Sequence, residues 1–194
     1  MRNLIKTTTI LGALVLGVST TGVAVNAAPI SSGDTTTAKV GLTSDETDKV
    51  TLTNAPNIDF GSQKIGTEPL TLHAANVDDN ITVSNPGLGA GWIVTLSSTP
   101  FTDGEKTLNN AELSFAPGTV KSEEDDNQST APTGAAITSN GADQTIFSAL
   151  PNTGIGIWNN TYANEDITLD IPAGNLAGNY TSILTWTLTD GPAS

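Results

Sequence analysis

Two tryptophans in closely similar settings are the side chains of this chain best suited to bind a ligand. Trp92 opens the triplet Trp92-Ile93-Val94 and Trp186 opens the triplet Trp186-Thr187-Leu188, in a sequence with only three tryptophans. Because the flat face of an indole can stack on a sugar ring, one interpretation places both triplets on a binding surface formed by Trp92, Val94, Trp186 and Leu188. The other places both indoles in the core, since tryptophan carries a large apolar area that is usually mostly buried. The alternation of apolar and polar residues around both triplets favours the core.

The third tryptophan, Trp158, has different neighbours. It lies in the segment Gly154-Ile-Gly-Ile-Trp-Asn-Asn160, where small and polar residues surround it. This setting makes Trp158 the better candidate for an exposed stacking platform, and we add it to the candidate binding residues. Ordinary packing in the protein interior remains the favoured interpretation of this ring.

Catalytic and metal-binding chemistry has little support in the sequence. His73 is the only histidine and there is no cysteine, so we interpret His73 as a surface or strand-edge residue. The acidic runs Asp78-Asp79-Asn80 and Glu123–Asn127 lack the alternating ligands, glycine and terminal glutamate of a calcium-binding loop, and we interpret them as solvated turns. No nucleophile elbow, phosphate loop or zinc-binding helix motif is present. We therefore predict that the protein is not an enzyme and has no catalytic residues, metal site or cofactor.

The elements that must position these side chains are short strands. After Lys49, apolar or alternating runs recur about every ten residues with Gly, Pro, Asn or Asp between them, which is typical of a β-sandwich or barrel. We predict an all-β fold, an antiparallel β-sandwich in a single domain, with at most one short helix. The predicted strands lie at Val50–Leu52, Ile58–Phe60, Leu70–Leu72, Ile81–Val83, Trp92–Leu96, Leu113–Phe115, Thr145–Phe147, Ile155–Trp158, Ile167–Ile171 and Tyr180–Leu188.

Strand geometry explains the spacing within each triplet. Side chains alternate between the two faces of a strand, so the tryptophan and the residue two positions later share one face and the middle residue points away. The runs Ile167–Ile171 and Tyr180–Leu188, with Pro172 and two glycines between them, predict a hairpin. Residues 118–145 are polar and charged and predict a long, mobile loop.

The amino terminus predicts export. Residues 1–27 have two basic residues, an apolar stretch and small residues at Val25-Asn26-Ala27, and we interpret them as a signal peptide cleaved after Ala27. Residues 28–48 are rich in Thr and Ser and predict a flexible segment, which leaves a domain at 49–194. No later stretch resembles a membrane span, so we expect no membrane insertion after cleavage, and any retention at a surface depends on the folded domain.

The charge balance excludes several partners. Beyond residue 27 the chain has 5 lysines, no arginine and 20 acidic residues, a formal charge of −15. Nothing in this set could neutralise phosphates, so nucleic acid is excluded as a partner. Anionic lipids and teichoic acids are also excluded as partners bound by charge attraction. Binding to an anionic surface must depend on shape, stacking and hydrogen bonds.

With these motifs in place, the sequence resembles the WxL domain family of Gram-positive cell-surface proteins. In that family one Trp-x-Leu motif lies within the domain and a second lies near its carboxyl end. Trp186-Thr187-Leu188 matches in full, with Tyr180 before it and Asp190-Gly-Pro192 after it. The first motif departs from the pattern, because Val94 stands where the family usually has leucine.

The resemblance implies a small WxL protein, secreted and located at the cell wall and cell surface. It implies non-covalent binding to peptidoglycan, together with other WxL proteins and a separate WxL-interacting membrane protein. Two hypotheses follow. The domain binds peptidoglycan directly, or it is a protein-interaction subunit that a partner holds at the wall.

Overall fold

The structure, a computed structural model, describes residues 37–43 and 48–191. The chain divides into two units, Met1–Gly41 and Leu42–Ser194. Of the first unit the structure describes residues 37–41, which are exposed and carry no strand or helix. The predicted signal peptide and most of the predicted flexible segment lie outside the described residues. Within the described ranges, no helix is long and apolar enough to cross a bilayer.

The described part of the second unit is built from short strands and one turn of 3₁₀ helix, η1 (Asn164–Asp166), which agrees with the predicted all-β class. In chain order the strands are β1 (Thr51–Asn54), β2 (Ile58–Asp59), β3 (Leu70–His73), β4 (Asn76–Val77), β5 (Ile81–Asn85), β6 (Trp92–Ser98), β7 (Thr102–Asp103), β8 (Lys106–Thr107), β9 (Glu112–Phe115), β10 (Thr119–Ser122), β11 (Thr133–Gly134), β12 (Ile137–Thr138), β13 (Gln144–Ala149), β14 (Gly156–Thr161), β15 (Ile167–Ile171) and β16 (Leu184–Asp190).

Three four-stranded antiparallel sheets make the body of the domain. Sheet 1 has the order β1-β5-β14-β10, sheet 2 has the order β12-β9-β15-β3, and the motif sheet has the order β11-β13-β6-β16. β9 is followed by β10 and β14 by β15, so these two stretches of chain run through both sheet 1 and sheet 2. The motif sheet lies against both, with β16 beside β1, β11 beside β10 and β13 beside β12. The predicted antiparallel β-sandwich is confirmed.

One hydrophobic core joins the three sheets. Its largest fully buried side chains are Trp92, Phe115 and Phe147, and the same cluster includes Val83 from sheet 1. Burial of each such apolar side chain contributes about 1.5–3 kcal/mol to the free energy of unfolding. With no cysteine in the chain, the described fold is held by this core and its backbone hydrogen bonds.

The predicted hairpin between the last two strands is wrong. β15 pairs with β3 and β9 in sheet 2, whereas β16 pairs with β6 in the motif sheet. The connection runs from Pro172 to Ile183 and passes from one sheet to another. Hairpin loops commonly have about 2–5 residues. This connection is longer, so it does not require the two strands that it joins to pair with each other. Its proline, glycine and asparagine residues indicate that the chain turns but carry no information on what it pairs with.

The predicted long loop at residues 118–145 is also partly wrong, because it contains β10, β11 and β12. These strands are short and most of their residues are polar or exposed. The sequence therefore shows little alternation of apolar and polar residues by which to identify them. The segment between them is fastened to the chain before β14. Asn127 donates from Nδ2 to the Ile155 carbonyl at 2.9 Å, and Ile155 donates its N–H to Ser129 Oγ at 3.0 Å.

The carboxylate of Glu124 also fastens this segment to β14. Glu124 accepts hydrogen bonds from the Ile157 N–H, the Ser122 hydroxyl and Asn127 Nδ2. The Ser122 hydroxyl is the main cause that lowers the pKa of Glu124 below its ordinary value of 4.5, with backbone and amide donors adding to it. The charged form of Glu124 therefore favours the folded state.

We expect Glu124→Gln to weaken the pH dependence of stability. The folded pKa is lowered, so the stabilisation is present above about pH 4.5 and is lost as the pH falls through the folded pKa. Thermal unfolding midpoints measured from pH 7 to pH 3 should fall less steeply in the variant than in the wild type. Asp125→Asn, which removes a neighbouring exposed carboxylate, is the control and should preserve the wild-type slope. Equal slopes in all three proteins would contradict the role of Glu124.

A buried amide explains a glycine in the chain between β9 and β10. Asn160 is fully buried and donates from Nδ2 to the Tyr162 hydroxyl at 2.9 Å. A Cβ at Gly118 would overlap Asn160 Oδ1 and approach the Thr161 carbonyl oxygen to 2.8 Å. Any larger residue at position 118 must displace either this amide or the backbone of β14.

We expect Gly118→Ala to lower the free energy of unfolding by about 1–3 kcal/mol, the usual cost of forcing atoms into a packed interior. Gly66→Ala is the matched control, because a Cβ at Gly66 meets no atom within 4 Å. The control should stay within about 0.5 kcal/mol of the wild type. Denaturant unfolding of both variants measures the difference, and equal stabilities would show that the space beside Asn160 is not limiting.

Candidate functional site

The two tryptophan triplets lie on neighbouring strands of the motif sheet. β6 and β16 pair antiparallel over seven positions, with Trp186 opposite Leu96, Leu188 opposite Val94 and Asp190 opposite Trp92. Residues directly opposite each other in a sheet point to the same face. The tryptophan and the third residue of each triplet therefore face the core together, and the middle residues Ile93 and Thr187 face outward, as the strand geometry predicts.

The two indoles do not lie side by side. Trp186 is paired with Leu96, four positions along β6 from Trp92, which is about 13 Å at roughly 3.3 Å per residue. The apolar residues between them are Val94 and Leu188, which pair directly. The two triplets form one continuous apolar strip across β6 and β16.

Trp92 is a core residue, as the favoured interpretation predicts. It is fully buried, and its ring packs edge-on against Phe147 with 4.9 Å between ring centroids. Its Nε1–H donates to the Gly154 carbonyl at 3.1 Å. The neighbouring Gly91 has φ +79°, and a Cβ there would approach the Ala149 carbonyl oxygen to 2.7 Å. The sequence analysis missed this glycine, although its position directly before the triplet was a usable signal.

Trp186 differs from Trp92 because it keeps part of its surface. It is half-buried, and its ring meets Phe115 of sheet 2 edge-on with 6.1 Å between centroids. Leu188 is also half-buried, whereas Val94, at the centre of β6, is fully buried. The departure of Val94 from the family pattern thus falls at a position where only core packing is involved.

Trp158 lies in the protein interior, so its favoured interpretation as a packed residue is confirmed and the exposed platform considered for it is wrong. The ring is 5% exposed, and its Nε1–H donates to the Ile155 carbonyl at 2.9 Å. Trp158 lies on β14 in sheet 1, between Val83 and Ser122 of the neighbouring strands. Small and polar neighbours along the chain do not expose this ring, because its packing comes from other strands. The faces of its indole are therefore not accessible for stacking on a ligand in this conformation.

The titratable groups considered at the sequence level are at the surface. His73 ends β3, an edge strand of sheet 2, and is exposed, which confirms its interpretation as a strand-edge residue. Asp78 accepts hydrogen bonds from the side chain and backbone of Asn57, and these lower its pKa. Within residues 37–43 and 48–191, no group of three or more metal-ligating side chains is present.

A cavity of about 420 Å³ lies beside the start of β16, where Leu184 lines it. It is mainly apolar and lies between sheet 2, the segment after β2 and the connection that precedes β16. The residues that line it include Phe60, Leu72, Phe101, Leu169, Tyr180 and Leu184. Tyr180 donates its hydroxyl to the Leu176 carbonyl at 2.9 Å, which fixes one wall of the cavity. No local sequence pattern indicates this cavity, since its lining comes from segments far apart in the chain.

We expect the two motif tryptophans to respond differently to the same substitution. Trp92→Phe leaves the Gly154 carbonyl without its buried donor and opens a space beside Phe147, so it should cost about 1–3 kcal/mol of unfolding free energy. Trp186→Phe retains a ring against Phe115 at a half-buried position and should cost less than about 1 kcal/mol. Denaturant unfolding monitored by far-UV circular dichroism compares the two. Equal losses would contradict the different roles given to the two indoles.

Comparison with known proteins agrees with this arrangement. A protein-family model described as "WxL domain surface cell wall-binding" matches residues 25–192, nearly the whole chain. No curated protein and no solved structure matches the sequence. The matched range includes both triplets and the pairing of β6 with β16 that joins them. The chain therefore belongs to the WxL domain family, whose domain binds the cell wall at the cell surface.

Proposed function

We propose that this protein is secreted, is retained at the cell surface and binds the peptidoglycan of the wall directly and non-covalently through its β-sandwich. The observation that carries the proposal is the match of a wall-binding family model to residues 25–192. The paired triplets support it, because they build a sheet with one face in the core and one face outward. Cleavage after Ala27 belongs to the same proposal.

The charge of the protein limits how it can hold the wall. Beyond residue 27 the chain has 5 lysines, no arginine and 20 acidic residues, and anionic wall polymers would be repelled by this surface. Hydrogen bonds and apolar contacts with uncharged parts of the wall are then the source of affinity. Among the motif residues, Trp186 and Leu188 offer partly accessible apolar surface, whereas Trp92 and Val94 act through the core.

The same acidity favours a second candidate function. A strongly acidic domain at an anionic surface could be held there by a partner, as an interaction subunit with other WxL proteins and a WxL-interacting membrane protein. In that case the purified protein would not bind wall material by itself. Binding of the purified protein alone to wall material therefore distinguishes the two functions.

We expect the purified secreted protein to sediment with protein-free peptidoglycan, more strongly near pH 5 than near pH 8. Protonation of carboxylates, whose ordinary pKa values lie near about 4, begins to reduce repulsion at the lower pH. Raising the salt concentration from about 0.01 M to about 0.15 M shortens the screening length from about 30 Å to about 8 Å and should also strengthen binding at pH 8. The measurement is the bound fraction as a function of peptidoglycan concentration.

Trp186→Phe, checked for folding by circular dichroism, tests the role of the half-buried indole in the same assay. Absence of sedimentation by a folded wild type would reject direct binding and favour the interaction subunit. Binding that is equal at both pH values and both salt concentrations would show that net charge does not limit association.

A further inference from the structure

The outer face of the motif sheet carries an array of hydroxyl groups. The residues that alternate with the apolar strip on β6 and β16 point away from the core. On its other side β6 pairs with β13, which also has an outward-facing hydroxyl residue, Thr145. We call this surface the hydroxyl face and define it by six residues: Thr95, Ser97, Thr145, Thr185, Thr187 and Thr189. Ile93 lies among them on β6.

The pairing of the strands orders these hydroxyls into rows. Thr145, Thr95 and Thr187 lie directly opposite one another across three strands, and Ser97 lies opposite Thr185 in the next row. Neighbouring strands are about 4.8 Å apart, and alternate residues along a strand are about 6.7 Å apart. The hydroxyls therefore form a grid of rows that follows the twist of the sheet, with an irregularity in β13 between Thr145 and Phe147.

The grid is open to solvent. Thr145, Thr185, Thr187 and Thr189 are exposed, while Thr95 and Ser97 on the central strand are partly covered by their neighbours. None of the six hydroxyls forms a hydrogen bond with another group in the part of the chain that the structure describes. Hydroxyls elsewhere in the domain are used internally: Ser98 pairs with Ser139 at 2.6 Å and Ser114 with Thr138 at 2.9 Å. The hydroxyl face thus offers free donors and acceptors.

The face also differs from the rest of the protein in charge. The chain has 20 acidic residues, yet none of the six residues, nor Ile93 among them, carries a charge. An anionic polymer that is repelled by the protein as a whole therefore meets no carboxylate among these seven residues. The face contains no aromatic residue, arginine or methionine, the types enriched where proteins bind proteins. Its chemistry is complementary to a chain of sugar hydroxyls.

We propose that the hydroxyl face is the surface on which an extended glycan strand of the wall binds. Sugar hydroxyls exchange hydrogen bonds with the rows of Thr and Ser, and Ile93 packs against a sugar ring. This inference rests on the proposed function and moves the contact from the indoles to the opposite side of the same two strands. The triplets act by positioning: their outer residues Ile93 and Thr187 face the ligand because their tryptophans are fixed in or against the core.

The test replaces hydroxyls without changing side-chain shape. The double variant Thr95→Val/Thr187→Val removes two hydroxyls of one row and keeps two β-branched residues in the sheet. We expect at least a fivefold loss of affinity for protein-free peptidoglycan with no fall in thermal midpoint. Thr51→Val/Thr119→Val, at two exposed strand positions of sheet 1, is the matched control and should bind as the wild type does.

A second variant tests repulsion at the same place. Thr187→Glu introduces a carboxylate on the β16 side of the grid, opposite Thr95, and should weaken binding further, with part of the loss recovered at about 0.15 M salt through screening. Glycan strands stripped of their stem peptides should compete with peptidoglycan for the wild-type protein. Competition by the stem peptides alone would overturn the assignment to glycan.

The outcomes separate the two proposals. If the folded wild type does not bind peptidoglycan, direct wall binding and the glycan ligand are both rejected. If the wild type binds and both hydroxyl-face variants bind equally well, the proposed function stands and the hydroxyl face is rejected as its site. Loss in these variants with an unchanged control supports both.

Discussion

The antiparallel pairing of β6 with β16 is the interaction on which the rest of the structure depends. It brings Trp92 and Trp186 into one sheet with Val94 and Leu188 directly opposed between them. The inner face of this pair contributes to the common core of all three sheets, and its outer face presents Ile93 and Thr187 to solvent. A shift by one residue would exchange the two faces, so the spacing of each triplet determines both the core and the surface.

The two motifs therefore contribute to the architecture of a domain from a wall-binding family. Trp92 has no accessible surface, and its polar atom is used by the Gly154 carbonyl. Trp186 is partly accessible but packs against Phe115. A motif that begins with tryptophan in a wall-binding family suggests stacking on sugars. Because Trp92 is fully buried, however, its indole stabilises the fold instead. The free hydroxyls on the reverse side of the same strands are better placed for contact with a polymer.

Alternation within the sequence was enough to find the strands but not their partners. All ten predicted strand regions contain a strand, and the faces predicted for β6 and β16 are correct, because a half-buried strand repeats every two residues. The partner of β15 and the strands within residues 118–145 were missed, and the packing favoured for Trp158 could be weighed but not located. Each of these depends on contacts between distant segments, such as Trp158 with Val83, which no local pattern records.

The distance between β6 and β16 along the chain also sets the order in which the protein can fold. The strand that completes the motif sheet is the last one described, and closing so long a loop carries an entropic cost before its contacts form. Folds with such non-local pairing fold slowly. Until β16 pairs with it, one edge of β6 has unpaired backbone groups beside the apolar side chains of Trp92, Val94 and Leu96, a combination that favours pairing with other chains. A chain interrupted before Leu184 would keep this edge of β6 open and would be prone to aggregate.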